Sequence, residues 1–164
     1  METALKKAKS AQDAAFETEG KTPRVVLWIS ILIGSTVTRA LAITFIPELE
    51  IFGGSAPDVW LGPWVTDGIL GVLIPFVIMA LWRLRGPRIW GGLLIYNALG
   101  AFDYLTGLIT QWLHPLPASI APPGLVYGSL LFTLAAQLTV IVLLFRRDAV
   151  AHIFGQLDGA SPSA

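Results

Sequence analysis

The sequence predicts an all-α polytopic membrane protein, a bundle of four transmembrane helices with a short C-terminal interfacial helix. Three observations carry that expectation. Of the 164 residues, 54% are hydrophobic and 13% charged, about half the roughly 25% charged share of a soluble domain; mean hydropathy is +0.68. Four apolar stretches of about 19 to 25 residues each suit a hydrocarbon core of about 30 Å. All but one of the basic residues lie toward one end of those stretches.

Residues 1–22 form a polar, Ala-rich tail. Leu5, Ala8, Gln12, Ala15 and Phe16 give it a weak amphipathic pattern, that of a mobile or surface-lying segment. Residues 23–147 hold the transmembrane domain. Its first span covers about 25–46, too long for a secretory signal and not followed by a small-residue cleavage site, so it reads as a retained helix. Residues 47–63 read as a loop between Pro47 and Pro63, with Gly53-Gly54-Ser55-Ala56-Pro57 at its centre. The second span covers about 64–82, and Pro75 is expected to bend it by removing a backbone donor. Residues 83–88 make a tight hairpin in which Gly86 ends one helix and Pro87 opens the next. The third span covers about 89–113. Pro115, Pro117, Pro122 and Pro123 make the following connection extended and start the fourth span at about 124–145. In the tail 148–164, Asp148 is placed to cap a short helix. Val150, Ile153, Phe154 and Leu157 recur at i, i+3, i+4, i+7, so this helix is expected to lie flat with its apolar face in lipid and His152 pointing away. No internal repeat is visible, so the inverted-repeat signature of many transporters is missing.

Ten of the eleven basic residues fall outside the spans, at Lys6, Lys7, Lys9, Lys21, Arg24, Arg83, Arg85, Arg88, Arg146 and Arg147. All ten belong to the N-tail, the second connection or the C-tail. The other two connections carry no basic residue, and the first has Glu48, Glu50 and Asp58. The positive-inside rule then puts both termini in the cytoplasm, and size and charge asymmetry suggest a bacterial inner membrane. Trp28, Trp82 and Trp90 flank the basic side, and Trp60, Trp64 and Trp112 the other, as aromatic belts do.

The eleventh basic residue opens the functional question. Arg39 lies 15 residues after Arg24, Asp67 lies 16 before Arg83, and Asp103 lies 15 after Arg88. At about 1.5 Å per helical residue, all three sit roughly 22–24 Å from the basic surface, in one layer. Isolated charges in hydrocarbon are costly, so they pair, face a cavity or act. One guanidinium can hold two carboxylates through its forked donors. The surplus negative charge then calls for a proton, a cation or water. A structural ion cluster that fixes helix register is the competing reading.

Helical periodicity adds neighbours. On the third span Gly92, Tyr96, Gly100, Asp103 and Gly107 form one stripe, flanked by Asn97 and Tyr104. On the first, Trp28, Leu32, Ser35, Arg39 and Ala42 share a face with Thr36 beside it; on the second, Asp67, Gly71, Pro75 and Ile78. On the fourth, Ser129, Thr133 and Gln137 share a side. Asn97 and Gln137 are each nine residues from a basic flank, Arg88 and Arg146, so they are level and placed to bond each other. The candidate site is thus Arg39, Asp67, Asp103, Tyr104, Tyr96, Asn97 and Gln137.

Other chemistry is poorly supported. Absence of cysteine removes thiolate catalysis, iron–sulfur clusters and Cys-ligated zinc. His114 and His152 fall on opposite membrane sides, against a shared haem or zinc. No nucleophile elbow or phosphate loop occurs. Zero net charge argues against a nucleic-acid partner. No cofactor or metal is expected. The leading functional expectation is a non-enzymatic membrane protein that binds a lipid, a small amphipathic ligand or a membrane partner, including a second copy of itself, through a polar cavity in the outer half. The alternatives are a small proton- or cation-coupled transporter using Asp67 or Asp103, and a lipid-modifying membrane enzyme with an Asp pair as acid and base.

Overall fold

A computed structural model describes residues 23–155. The N-tail 1–22 and the end of the C-tail, with Leu157, lie outside the described residues. Four helices are long and apolar enough to cross a membrane: α1 Arg24–Phe52, α2 Asp58–Arg83, α3 Pro87–Leu113 and α4 Pro123–Leu144. A short α5, Arg147–Phe154, follows. Helix α1 packs against α2 and α4, and α3 packs against the same two, so the four close into a ring. Consecutive helices are neighbours, as short connections require.

Helix α1 is not the continuous α-helix that its hydropathy suggests. It is α-helical over Arg24–Gly34, turns 3₁₀ over Val37–Leu41, and reaches Phe52 through further short helical pieces. At the break the Ser35 hydroxyl donates to the Leu32 carbonyl (2.8 Å) and the Thr36 hydroxyl to the Ile33 carbonyl (2.7 Å). Such bonds compete with the α-helical ladder. The consequence is rotational. Residues i and i+3 eclipse in a 3₁₀ turn, so Thr36, Arg39 and Ala42 stack on the buried side below Ile33. Trp28 and Ser35, expected on the Arg39 face, are exposed instead.

Helix α2 begins at Asp58, six residues before the expected start, and only residues 53–57 of the first connection are non-helical. Pro57 sits at the N-cap, and Asp58 in the first turn favours the helix dipole. Trp60 is buried, and its indole N–H donates to the His114 carbonyl at 3.1 Å. That packing draws the stretch containing Pro63 into the helix. Pro75 stands on the exposed side, while Trp64, Gly68, Gly71, Ile74 and Leu81 make the buried stripe. The two glycines set the approach of α1. A β-carbon at Gly71 would collide with the backbone of Ala40, and one at Gly68 with the Ile43 side chain.

Gly86 adopts φ 110°, open to glycine alone without strain, and precedes Pro87 at the first position of α3. Tyr96, Asn97, Gly100, Asp103, Tyr104 and Gly107 are all buried on α3, whereas Gly92 is exposed. On α4, Thr133 and Gln137 are buried, but Ser129 is exposed and bonded to its own helix at the Val126 carbonyl. Polar groups cross-link the ring. The Tyr96 hydroxyl donates to the Leu70 carbonyl (2.9 Å), the Trp82 indole to the Ser30 hydroxyl (2.7 Å), and the Trp90 indole to the Leu144 carbonyl (3.0 Å).

The main core lies toward the basic end, where Val26, Ile29, Ile33, Leu81 and Leu144 are inaccessible. Helix α5 completes it, and here the lipid-facing expectation fails. Ala149 and Ile153 are fully buried in that core. The Ile153 carbonyl accepts the Gly86 N–H at 2.7 Å, and His152 does not point away but donates to the Leu81 carbonyl at 3.3 Å. Partial burial and the nearby Arg85 charge hold the His152 pKa below its usual value. Nor does Asp148 cap the helix; Arg146 occupies the N-cap, and Asp148 lies in the first turn. Of the apolar stripe, Ile153 is covered by the open end of the bundle, Val150 is half-buried and Phe154 stays exposed.

Candidate functional site

The 3₁₀ turn delivers Arg39 into the centre of the ring. Its Nε donates to Oδ1 of Asp67 on α2 at 2.7 Å, and its Nη2 to Oδ2 of Asp103 on α3 at 3.1 Å. The Arg39 side chain has 0% exposure, Asp103 6% and Asp67 21%. Three residues 28 and 36 positions apart thus meet in one layer, and only Asp67 reaches an accessible surface. Formal charge in the layer is one guanidinium against two carboxylates.

Tyr104 lies under the cation, with its ring centroid 4.8 Å from the guanidinium carbon. The ring's negative face attracts the cation without adding charge. The two carboxyl groups share this one guanidinium. Gly100, one turn from Asp103 toward the basic end, makes room for this assembly. A β-carbon there would lie 3.1 Å from Nη1 of Arg39 and 2.9 Å from the Gln137 side-chain carbon.

The remaining candidates divide. Gln137 comes up to Arg39 over Gly100. Asn97 is buried on the same face, but its Nδ2 donates to the Leu93 carbonyl (2.7 Å) and it forms no bond with Gln137, contrary to the expectation that the two amides pair. Tyr96 is occupied by the Leu70 carbonyl and serves as a cross-link. Arg39, Asp67 and Asp103 form one bonded cluster in this layer. Thr110 and Gln111 are buried too and were not anticipated. They continue the Asp103–Tyr104 face seven residues on, so helical spacing alone would have found them. The Gln111 side chain accepts the Leu116 N–H at 3.2 Å and pins the next loop.

Chemically, the layer can hold one more positive charge. Among the described residues, no group of three or more histidine or acidic side chains is placed to ligate a metal. Neither a family model, nor a curated protein, nor a solved structure matches this chain.

Proposed function

We propose that this is a non-enzymatic membrane protein whose Arg39–Asp67–Asp103 layer takes up one positive charge from the outer side, either a proton or the ammonium group of a small amphipathic ligand. The observation that carries the reading is the pairing of two carboxylates with a single buried guanidinium. Low dielectric makes the surplus negative charge costly, so a monovalent cation or proton is favoured there. Asp67, with its partial exposure, is the entry point, and Asp103, fixed by its bond to Arg39, supplies the second carboxylate behind it. Arginines at Arg24, Arg83, Arg85, Arg88, Arg146 and Arg147 support an orientation with both termini in the cytoplasm, in a bacterial inner membrane. Lipids and a second copy of the chain are the proposed neighbours.

A proton-coupled carrier is the second reading. It is favoured by the interruption of α1 at the charged layer, since broken helices in transporters line ion sites.

One experiment addresses both. In bilayers, carboxyl ¹³C shifts of Asp67 and Asp103 are followed between about pH 4 and 9, with and without tetraphenylphosphonium as a lipophilic monocation. One proton is expected to bind across the pair, and the monocation to displace it. Asp67→Asn should remove both responses. Carboxyl shifts that stay constant with pH and are indifferent to the cation would refute the proposal. Proton flux into liposomes that Asp103→Asn abolishes would select the carrier.

A further inference from the structure

Beyond its two carboxylate bonds, Arg39 keeps a third nitrogen, Nη1, that is buried without a protein partner. It is not alone. Oδ1 of Asn97 and both Nε2 and Oε1 of Gln137 are buried and unpartnered as well. These three residues are 3%, 0% and 1% exposed. Arg39 and Gln137 converge on Gly100. A β-carbon at that position would lie 3.1 Å from Nη1 and 3.2 Å from Nε2 of Gln137, and Asn97 precedes Gly100 by three residues on the same face of α3.

The four atoms define what fits between them. Nη1 and Nε2 are donors, and the two amide oxygens are acceptors. An anion would be repelled by Asp103, and a cation by the guanidinium. An apolar group would leave all four atoms unsatisfied. Rotating the Gln137 amide can bring Oε1 to Nη1, but Nη1 carries two N–H groups, so a donor remains. A small neutral molecule that both donates and accepts matches the set.

We propose that Arg39, Asn97 and Gln137 enclose a hydration site, a small water cluster held between α1, α3 and α4. Its water accepts from Nη1 of Arg39 and Nε2 of Gln137, and donates to Oδ1 of Asn97 and Oε1 of Gln137. Buried water characteristically makes two to four such bonds. The site continues the polar layer about 9 Å along α3, from Asp103 to Asn97. It ends there, because Ile29, Ile33, Leu93, Val140 and Leu144 are buried toward the basic end. The polar track is therefore a blind inlet. A role for this water in solvating the charge taken up at the carboxylates rests on the proposed function; the hydration site itself does not.

Water-edited solid-state NMR of the ¹⁵N-labelled full chain in bilayers tests it. Rapid polarisation transfer from water to the Arg39 Nη and Gln137 Nε2 resonances is expected. Transfer that stays absent at both nitrogens would overturn the proposal, as would a spectrum in which only the carboxylate side is hydrated. In Gln137→Leu, transfer to Arg39 Nη should be lost, and unchanged transfer would show that its water comes from the carboxylates and so refute the site. Should that variant fail to fold, the wild-type spectrum decides alone. The readout is independent of carboxyl titration, so a dry Arg39 beside titrating aspartates would sink this inference and leave the proposed function standing.

Discussion

Arg39 does at the residue scale what a lone charge in hydrocarbon must do: it finds partners of opposite sign in the same layer. That much was legible from counting. Matching Arg39, Asp67 and Asp103 to basic residues about fifteen positions away located all three at one depth, because the few residues of 3₁₀ turn before Arg39 change the rise little. Counting could not reveal which nitrogen meets which carboxylate, or that Gln137 and Arg39 both pack over Gly100 while Asn97 bonds to its own helix. Those choices depend on rotation about each helix axis and on the notch at Gly100. A consequence is measurable. Arg39→Met should destabilise the bundle more than Arg39→Met combined with Asp103→Asn, because the single change leaves two buried carboxylates with no counter-charge. A double-mutant cycle on thermal unfolding in detergent should give a coupling above about 1 kcal/mol, beyond the range of exposed pairs. Additive effects at both Asp103 and Asp67 would mean that the ion pairs contribute nothing to holding the helices together.

The interruption of α1 shows what hydropathy hides among elements. A hydropathy window sees only apolar content, and the stretch from Arg24 to Phe52 has it throughout. The signal for the 3₁₀ turn was in the spacing. Buried positions run Val26, Ile29, Ile33, Thr36, Arg39, Ala42, and the last three steps are all of three residues, the period of a 3₁₀ helix. The turn brings Ala40 against Gly71, where α1 and α2 are in backbone contact. In membranes such close approach takes the place of a hydrophobic driving force. Gly71→Ala should therefore cost about 1–3 kcal/mol, since the obstructing atoms are backbone and cannot swing aside. Gly92→Ala on α3 has nothing within 4 Å of the new methyl. It should be neutral or mildly stabilising through helix propensity. Unfolding of the two variants in the same detergent compares them directly, and equal stabilities would refute the close α1–α2 backbone contact. The docking of α5 was illegible for a related reason. Its amphipathic stripe was plain, but a stripe does not say whether lipid or protein covers it; the open end of the bundle decided that.

Charge is segregated across the whole molecule. Six described arginines lie at one end of the ring, while the connection at the other end carries Glu48, Glu50 and Asp58 and no basic residue. The layer of Arg39, Asp67 and Asp103 belongs to the acidic half, and the apolar core with docked α5 belongs to the basic half. Asp67 is part-exposed in one half, whereas Ile29, Ile33, Leu81, Leu144 and Ile153 are inaccessible in the other. On the proposed function, the compartment that supplies the charge follows from orientation alone. Lysine and arginine resist translocation, so the arginine-rich end should be cytoplasmic and the charged layer should sample the outside pH. The chain has no cysteine, so single cysteines report without background. Cysteines at Ser55 and Ser119, in the two connections without basic residues, should react with a membrane-impermeant thiol reagent on intact cells. One at Ser10 should react only after the membrane is opened. The reverse pattern would place the carboxylates near the cytoplasm, and a charge taken up at Asp67 would then come from the inner compartment.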